Sequence, residues 1–281
     1  MEGVIINIDL KEKDLPIDSD WHLEPISDAH VGNINCNYTK LERVIKKIAG
    51  SQIHSTILLG DNTDNIRHDD KRFNVDAEGV QPITQLKLLR NMFEPIWKNN
   101  EDNTKCFGAV IGNHEYNGSG KMSEEQFKRE YSYPILDGGM GLNYLGTLSY
   151  IWLNFFYGKE KIRDYRILAA HGSYRGSQSG GELNQMKRLP AQHETFDVYL
   201  SGDSHDAKVD KSVLMSPIMK DGKIKLKRRK IWFCSCGTFQ ETFELGNLSY
   251  MEKKHFYARA AETGTITVTF NPYLGKLHAH G

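Results

Sequence analysis

The sequence predicts a mixed α/β fold, and three observations support this class. Five short apolar segments each end in a polar loop, segments with helical spacing lie between some of them, and the C-terminal third alternates polar and apolar residues. Short apolar runs are typical of buried strands, whereas a period of two is typical of strands with one exposed face. The mixture therefore indicates sheets that are covered by helices.

The helices and remaining strands can be placed in order along the chain. Helical spacing of apolar residues predicts three helices, over residues 38–49, 80–97 and 121–133. Thr39 and Ser123 are candidate N-caps of the first and third helix. Alternation or an unbroken apolar run predicts the other strands, at residues 3–8, 150–157, 223–227, 231–233 and 265–269.

Length and composition favour one large domain. The chain has 281 residues, of which 39% are hydrophobic and 10% aromatic, and this suffices for a well-filled core. We expect a single domain over residues 1–281, with the polar blocks between residues 21 and 210 and the strands of residues 223–281 completing a second sheet.

Charge and hydropathy argue against several classes of protein. The 36 lysines and arginines balance 36 aspartates and glutamates, so no global field draws the chain to nucleic acid or to an anionic membrane. The longest apolar run, residues 150–157, is far below the roughly 20 residues of a membrane helix. Residues 1–16 lack the apolar core of a signal peptide. We therefore expect a cytoplasmic protein that does not enter the membrane.

Residues 223–230 are unusually basic and leave two interpretations open. They contain six lysines and arginines, interleaved in the first half with Ile224 and Leu226. The segment could contact phosphate groups. The alternation also fits an exposed strand whose basic residues discourage edge pairing, which is the interpretation that we favour.

The five apolar segments each deliver a defined set of polar residues. In chain order, the blocks are Asp28-Ala29-His30, Gly60-Asp61-Asn62-Thr63-Asp64, Gly112-Asn113-His114-Glu115, His171-Gly172 and Gly202-Asp203-Ser204-His205. Loops that follow buried strands commonly carry function, because the strands fix their position. Five blocks of carboxylates, amides and imidazoles in this arrangement favour one shared site.

This series of blocks resembles the calcineurin-like metallophosphoesterase superfamily, and the resemblance covers residues 21–210. It implies a four-layer α/β/β/α sandwich of two mixed sheets. The second block ends in Asp64-Asn65-Ile66, where the serine/threonine protein phosphatases carry Asp-Arg-Gly. Together with the short interval from His171 to His205, this makes the chain more similar to the phosphodiesterase and nuclease branch.

The resemblance also implies a site for two divalent cations. Phosphoester hydrolysis needs charge neutralisation at the phosphoryl oxygens and a strong nucleophile from water, and a pair of cations provides both. By resemblance, Asp28, His30 and His205 hold the first cation, and Asp61 bridges the two. Asn113 and His171 hold the second, together with the residue at position 203.

Asp203 departs from the family pattern, which has a histidine at this position. The shorter, charged side chain could ligate directly, bind through water or leave the second cation weakly held. Oxygen-rich coordination favours manganese or magnesium over softer ions. We therefore expect two divalent cations, with Mn²⁺ preferred over Fe, Zn, Ni or Mg and with a labile second site.

Two further roles come from the resemblance. It implies that His114 faces the substrate and stabilises charge or protonates the leaving oxygen, and that Asp64 orients His114. Tyr174 and Arg175, in a Gly/Ser-rich loop, are candidate substrate contacts. Glu115 is interpreted as an ordinary residue at the end of the turn.

The fold and the cations alone do not select a substrate. The leading hypothesis is a phosphodiesterase that acts on a nucleotide or nucleic acid. The alternatives are a phosphomonoesterase for a small metabolite or phosphoprotein, and a catalytically impaired binding module in which Asp203 marks decay of the second site. The oligomeric state does not follow from the sequence.

Overall fold

A computed structural model describes residues 3–66, 80–100, 102–116, 123–134, 139–172, 181–193, 196–242 and 262–281. Its strands are β1 Gly3–Asp9, β2 Trp21–Ile26, β3 His54–Leu58, β4 Cys106–Ala109, β5 Leu148–Tyr157, β6 Glu160–Ala170, β7 Val198–Ser201, β8 Ala207–Lys220, β9 Lys223–Cys236, β10 Thr267–Asn271 and β11 Lys276–His280. Its α-helices are α1 Tyr38–Gly50, α2 Pro82–Trp97, α3 Asn113–Tyr116, α4 Glu124–Phe127 and α5 Gly181–Met186.

The strands form two mixed sheets. Sheet A has six strands in the order β1-β5-β6-β7-β9-β8, and sheet B has five in the order β11-β10-β2-β3-β4. Both sheets contain parallel and antiparallel pairs. The C-terminal strands are therefore divided between the sheets instead of completing only one, because β8 and β9 join sheet A while β10 and β11 join sheet B.

Three apolar clusters fill the spaces between the layers. The largest lies between the sheets and includes Trp21, Phe155 and Phe270. Helices α1 and α2 pack on the outer face of sheet B, through residues such as Leu41 and Phe93. Helix α5 packs on the outer face of sheet A. The predicted four-layer α/β/β/α sandwich of two mixed sheets is confirmed.

The helix boundaries follow local signals, with two differences from the prediction. The third predicted helix, over residues 121–133, is an α-helix only over Glu124–Phe127 and continues as a π-helix over Lys128–Ser132. Asn37, and not Thr39, is the N-cap of α1, because its side chain accepts the N–H of Lys40 at 2.9 Å. Ser123 caps α4 as predicted and forms a reciprocal capping box with Gln126. In the described part of the chain, no helix has the length and hydropathy needed to cross a membrane.

The parallel strands bring the polar blocks to one end of the sandwich. Strands β2, β3 and β4 are parallel neighbours in sheet B, and β6 and β7 are parallel neighbours in sheet A. All five blocks begin at or just after the carboxyl ends of these strands. The two sheets meet there directly, since the N–H of Asp203 donates to Asp28 Oδ2 at 3.0 Å.

Candidate metal centre

The main chain at this end of the sandwich is strained at the residues that carry the polar side chains. Positive φ angles, rare outside glycine, occur at five of them: Asp28 (49°), His30 (46°), Asp61 (49°), Asp203 (65°) and His205 (59°). Such conformations persist only where the surrounding structure enforces them, and they are concentrated at functional sites.

Three glycines allow the loops to approach one another. A Cβ on Gly112 would lie 2.2 Å from the main-chain nitrogen of Asp61, and one on Gly60 would lie 2.6 Å from Gly112. A Cβ on Gly202 would lie 2.0 Å from Ser27 Oγ. The glycine that opens three of the blocks is therefore required by close packing of the strand ends.

The first cluster of candidate ligands consists of Asp28, His30 and His205, which can place one ligand atom each within 4.8 Å of one another. His30 Nδ1 lies 2.8 Å from Asp64 Oδ1, which leaves His30 Nε2 facing the cluster. His205 Nε2 lies 3.3 Å from Asp28 Oδ1. Within the described residues, Asp28 Oδ1 and His30 Nε2 are buried without a hydrogen-bond partner, as expected of atoms that bind a cation.

The second cluster surrounds His171, whose Nδ1 lies 2.7 Å from the carbonyl oxygen of Leu59. Because Nδ1 donates to this carbonyl, Nε2 is directed at the oxygens of other blocks. Nε2 lies 3.2 Å from Asp61 Oδ2, 3.1 Å from Asn113 Oδ1 and 3.8 Å from Asp203 Oδ1. Asp61 also belongs to a cluster with His30 and His114, so it stands between the two candidate cation positions.

The side-chain amide of Asn113 has two orientations with different chemistry. With Oδ1 towards His171 Nε2, acceptor atoms face one another, and a cation between them would satisfy all of them. Turned over, the amide nitrogen would donate to His171 Nε2 at 3.1 Å and to Asp203 Oδ1 at 3.0 Å. Only the first orientation presents Oδ1 as a ligand for a cation.

Opposite charges dominate the electrostatics of the centre. Burial raises the pKa of Asp28, but the neighbouring His171 and His205 outweigh it and hold this pKa below its usual value. The pKa of Asp61 is also lowered, by His171 and His114 against the effect of burial. In turn, the carboxylates raise the pKa of His171 and of His205 although burial opposes this. The centre thus favours positive charge, and the donor set fits divalent cations.

His114 lies at the edge of this centre. Its Nδ1 lies 2.5 Å from the main-chain oxygen of Asp64, and its Nε2 lies 3.9 Å from Asp61 Oδ2. The ring meets that of His30 edge-on, with centroids 4.7 Å apart. The Asp64 carboxylate is closer to His30 than to His114, because Oδ1 is 2.8 Å from His30 Nδ1 and 3.7 Å from His114 Nδ1. Asp64 therefore contacts His30 through its carboxylate and His114 through its main-chain oxygen.

Glu115 has a structural importance that the sequence did not reveal. Its buried carboxylate accepts main-chain N–H groups from two loops, those of Gly112 (3.0 Å), Asp61 (2.9 Å), Asn62 (2.8 Å) and Thr63 (3.4 Å). Burial beside Asp61 raises the pKa of Glu115, and these N–H groups oppose the rise. The only sign of this role in the sequence was a carboxylate next to His114.

Tyr174 and Arg175, the predicted substrate contacts, lie outside the described residues.

Comparisons with known proteins identify a family that the sequence matches. The sequence profile of calcineurin-like phosphoesterases matches residues 19–207, about two thirds of the chain. A predicted phosphoesterase from Streptococcus pneumoniae has a TM-score of 0.35 and 13% identity, over 90% of this chain and 84% of the other. A metallophosphoesterase from Sphaerobacter thermophilus has a TM-score of 0.37 and 14% identity, over 92% and 87%. No curated protein matches significantly.

The family match and the cluster of carboxylates and imidazoles together identify a metal-dependent phosphoester hydrolase. The chain belongs to the calcineurin-like phosphoesterase family. Both TM-scores are low, so this assignment rests on the sequence match.

Proposed function

We propose that the centre holds two divalent cations that share Asp61 and that the enzyme hydrolyses phosphodiesters of nucleotides or nucleic acids. The observation that carries the proposal is the position of Asp61, which belongs both to the cluster with Asp28 and His171 and to the cluster with His30 and His114. A carboxylate shared between two groups of ligands is the arrangement that a pair of cations requires.

Seven side chains divide between the two positions. Asp28, His30 and His205 would hold one cation, and Asn113, His171 and Asp203 the other, with Asp61 between them. When bound, such a pair lowers the pKa of water and withdraws charge from the phosphoryl oxygens. The oxygen-rich second position favours Mn²⁺, and Asp203 makes this position the weaker one.

His114 would donate a proton to the leaving oxygen. Its Nδ1 is held by the Asp64 carbonyl oxygen at 2.5 Å, so Nε2 is the atom that can face a substrate. A protonated imidazole carries a proton on Nε2 and can therefore serve as a general acid. Asp64 would position His30 through its carboxylate and His114 through its main chain.

The charges around the centre support a diester over a monoester. Asp28 and Asp61 form ion pairs with the histidines of the centre. A diester carries one negative charge on its phosphate, whereas a monoester carries nearly two at neutral pH. Two divalent cations bring four positive charges, and the three carboxylates among their proposed ligands offset three of these, which leaves one positive charge to match the single charge of a diester.

The test compares bis-p-nitrophenyl phosphate with p-nitrophenyl phosphate, using metal-stripped protein resupplied with Mn²⁺, Mg²⁺, Zn²⁺ or Ni²⁺. We expect faster diester cleavage, with Mn²⁺ the most effective ion. His114→Ala should lower kcat about 10²- to 10⁴-fold without loss of bound metal, whereas His278→Ala, in the exposed part of β11, should have no effect. Preferential monoester cleavage would refute the diester assignment, and a metal-loaded His114→Ala enzyme with full activity would refute the role of His114.

A further inference from the structure

The outer ends of β8 and β9 form a two-stranded ribbon that extends beyond the rest of sheet A. Strand β7 pairs with β9 only from Trp232 to Ser235. The pairing of β8 with β9 continues to Lys220 and Lys223, with a turn at Asp221 and Gly222. We call residues 213–230 the ribbon. From residue 215 to residue 228, every side chain whose exposure is described is exposed.

One face of the ribbon is apolar. Cross-strand partners share a face, and the register pairs Met219 with Ile224 and Pro217 with Leu226. Met219, Ile224 and Leu226 are 71%, 74% and 64% exposed. Val213 and Met215 lie on the same face nearer the body of the protein, where their cross-strand partners are Lys230 and Arg228. There it continues into the side of sheet A that packs against sheet B, through Val209 and Cys234. The apolar end of the ribbon thus lies on the same side of sheet A as the core, and Arg228 and Lys230 separate it from the part that sheet B covers.

The opposite face carries most of the basic residues of the ribbon, beside Ile218 and Leu214, and its Arg229 is paired with Asp197. Lys223, Lys225 and Lys227 alternate with the apolar residues of β9. The ribbon contains seven lysines and arginines and one aspartate, so the other residues of the chain contain 29 basic and 35 acidic ones. A ribbon of net charge +6 therefore projects from a body of net charge −6 in a protein that is neutral as a whole.

The ribbon lies at the far end of the sandwich from the metal centre. Strand β8 begins at Ala207, two residues after His205, and runs antiparallel to β9. At about 3.3 Å per residue, its last residue is roughly 40 Å from its first. The ribbon is therefore placed to attach the protein to something, and not to deliver substrate to the centre.

We propose that the ribbon binds the surface of an anionic lipid bilayer. Its apolar face would enter the boundary between headgroups and acyl chains, and its lysines and arginines would meet the lipid phosphates. Apolar insertion and basic charge together give stable attachment where either alone is weak. This is the strand counterpart of an amphipathic interfacial helix, and a bilayer satisfies both faces.

Two other candidate partners of the ribbon, a second copy of the chain and nucleic acid, explain fewer of these features. A second copy would bring two ribbons of charge +6 together, and Pro217 has no N–H to offer a further strand along the edge formed by β8. Nucleic acid would neutralise the cations but would leave the apolar face with few partners. It would also bind at the end of the molecule that the metal centre does not occupy.

Co-sedimentation of the full chain with phosphatidylcholine vesicles, with and without phosphatidylglycerol, tests the proposal. We expect binding only to the anionic vesicles, weakened by salt. Met219→Ser with Ile224→Ser, and separately Lys223→Gln with Lys227→Gln, should each weaken binding by roughly tenfold or more. Ile83→Ser is the matched control, because Ile83 is 62% exposed on α2 and lies outside the ribbon.

All of these variants should hydrolyse small phosphoesters at the rate of the unmodified protein, so a failure of lipid binding is separable from a failure of the proposed function. Equal binding to both vesicle types, or to neither, would overturn the proposal. So would full binding by the ribbon variants. A dimer in size-exclusion chromatography that the apolar variant dissociates, or oligonucleotide binding that the lysine variant abolishes, would assign the ribbon to those partners if anionic vesicles are not bound.

Discussion

The carboxylate of Glu115 accepts the main-chain N–H of Asp61 at 2.9 Å, and this contact joins two blocks that lie far apart in the sequence. The same carboxylate binds the N–H of Gly112 in its own block. Asp61 in turn accepts the N–H of His114, through Oδ1 at 2.7 Å. These reciprocal contacts hold the two blocks together. They therefore also fix the positions of the side chains that face the candidate cations.

Replacement of Glu115 by glutamine should therefore weaken metal binding about 10- to 100-fold, as is common for groups that support metal ligands. Glutamine has a single acceptor oxygen, and its NH₂ group would face N–H donors. Metal content after dialysis, and activity against Mn²⁺ concentration, would measure the effect. Glu42→Gln, in an exposed pair with Lys46, is the control. Unchanged affinity in Glu115→Gln would show that the loops do not depend on this carboxylate.

Gly112→Ala should disable the centre while the sandwich remains folded. The new Cβ would lie 2.2 Å from both the nitrogen and Oδ1 of Asp61 and 2.7 Å from Glu115 Oε2, so one of the two loops must move. We expect loss of at least one bound cation, measured by elemental analysis, with little change in far-UV circular dichroism. Gly50→Ala is the control, because a Cβ there meets nothing within 4 Å and alanine favours the helix. Full metal content in Gly112→Ala would contradict the close approach of the loops.

The arrangement of the blocks could be predicted because each follows a strand. Parallel strands end on the same side of a sheet, so Asp28, Asp61 and Asn113 had to come together once β2, β3 and β4 were recognised. The structure also brings His171, Asp203 and His205 to this place, and their role as ligands stays a prediction. Four-layer packing followed from the family resemblance and not from periodicity.

Other features depend on contacts that a sequence does not specify. Alternation identifies a strand but not its partner, so the division of β8 to β11 between two sheets was missed. Glu115 was missed because its partners lie on a loop about fifty residues away. Asn37 and Thr39 are both good capping residues, and only the path of the chain into α1 selects Asn37.

Asp203→His should strengthen the second cation position. The position is weak in the proposed function because a carboxylate replaces the family's histidine, and His171 Nε2 is 3.8 Å from Asp203 Oδ1. The main-chain N–H of residue 203, which donates to Asp28, is retained in the variant. We expect the metal content after dialysis to rise from near one towards two ions per chain. Two tightly held ions in the unmodified protein would show that Asp203 is already an adequate ligand.

The stacked rings of His22 and His54, with centroids 4.7 Å apart, should make stability depend on pH. Burial, then the charges of His22, Lys47 and Lys105, lowers the pKa of His54 to about 4, while Glu24 lies 3.5 Å from its Nε2. Burial also lowers the pKa of His22 against the effect of Asp20 and Glu24. Between pH 6.5 and about 4, His54 therefore binds more protons in the unfolded chain than in the folded protein.

The contribution of His54 to the free energy of unfolding should accordingly fall as the pH decreases through this window, and His54 should add no further loss below it. Because solvent partly screens the charges around His22 and His54, we expect His54 to account for about 1 to 2 kcal/mol of the lost free energy of unfolding. Urea unfolding of His54→Gln at several pH values should give a flatter profile than the unmodified protein, whereas His278→Gln, an exposed variant on β11, should give the original one. Parallel profiles for the unmodified protein and His54→Gln would show that His54 takes up a proton as readily in the folded protein as in the unfolded chain.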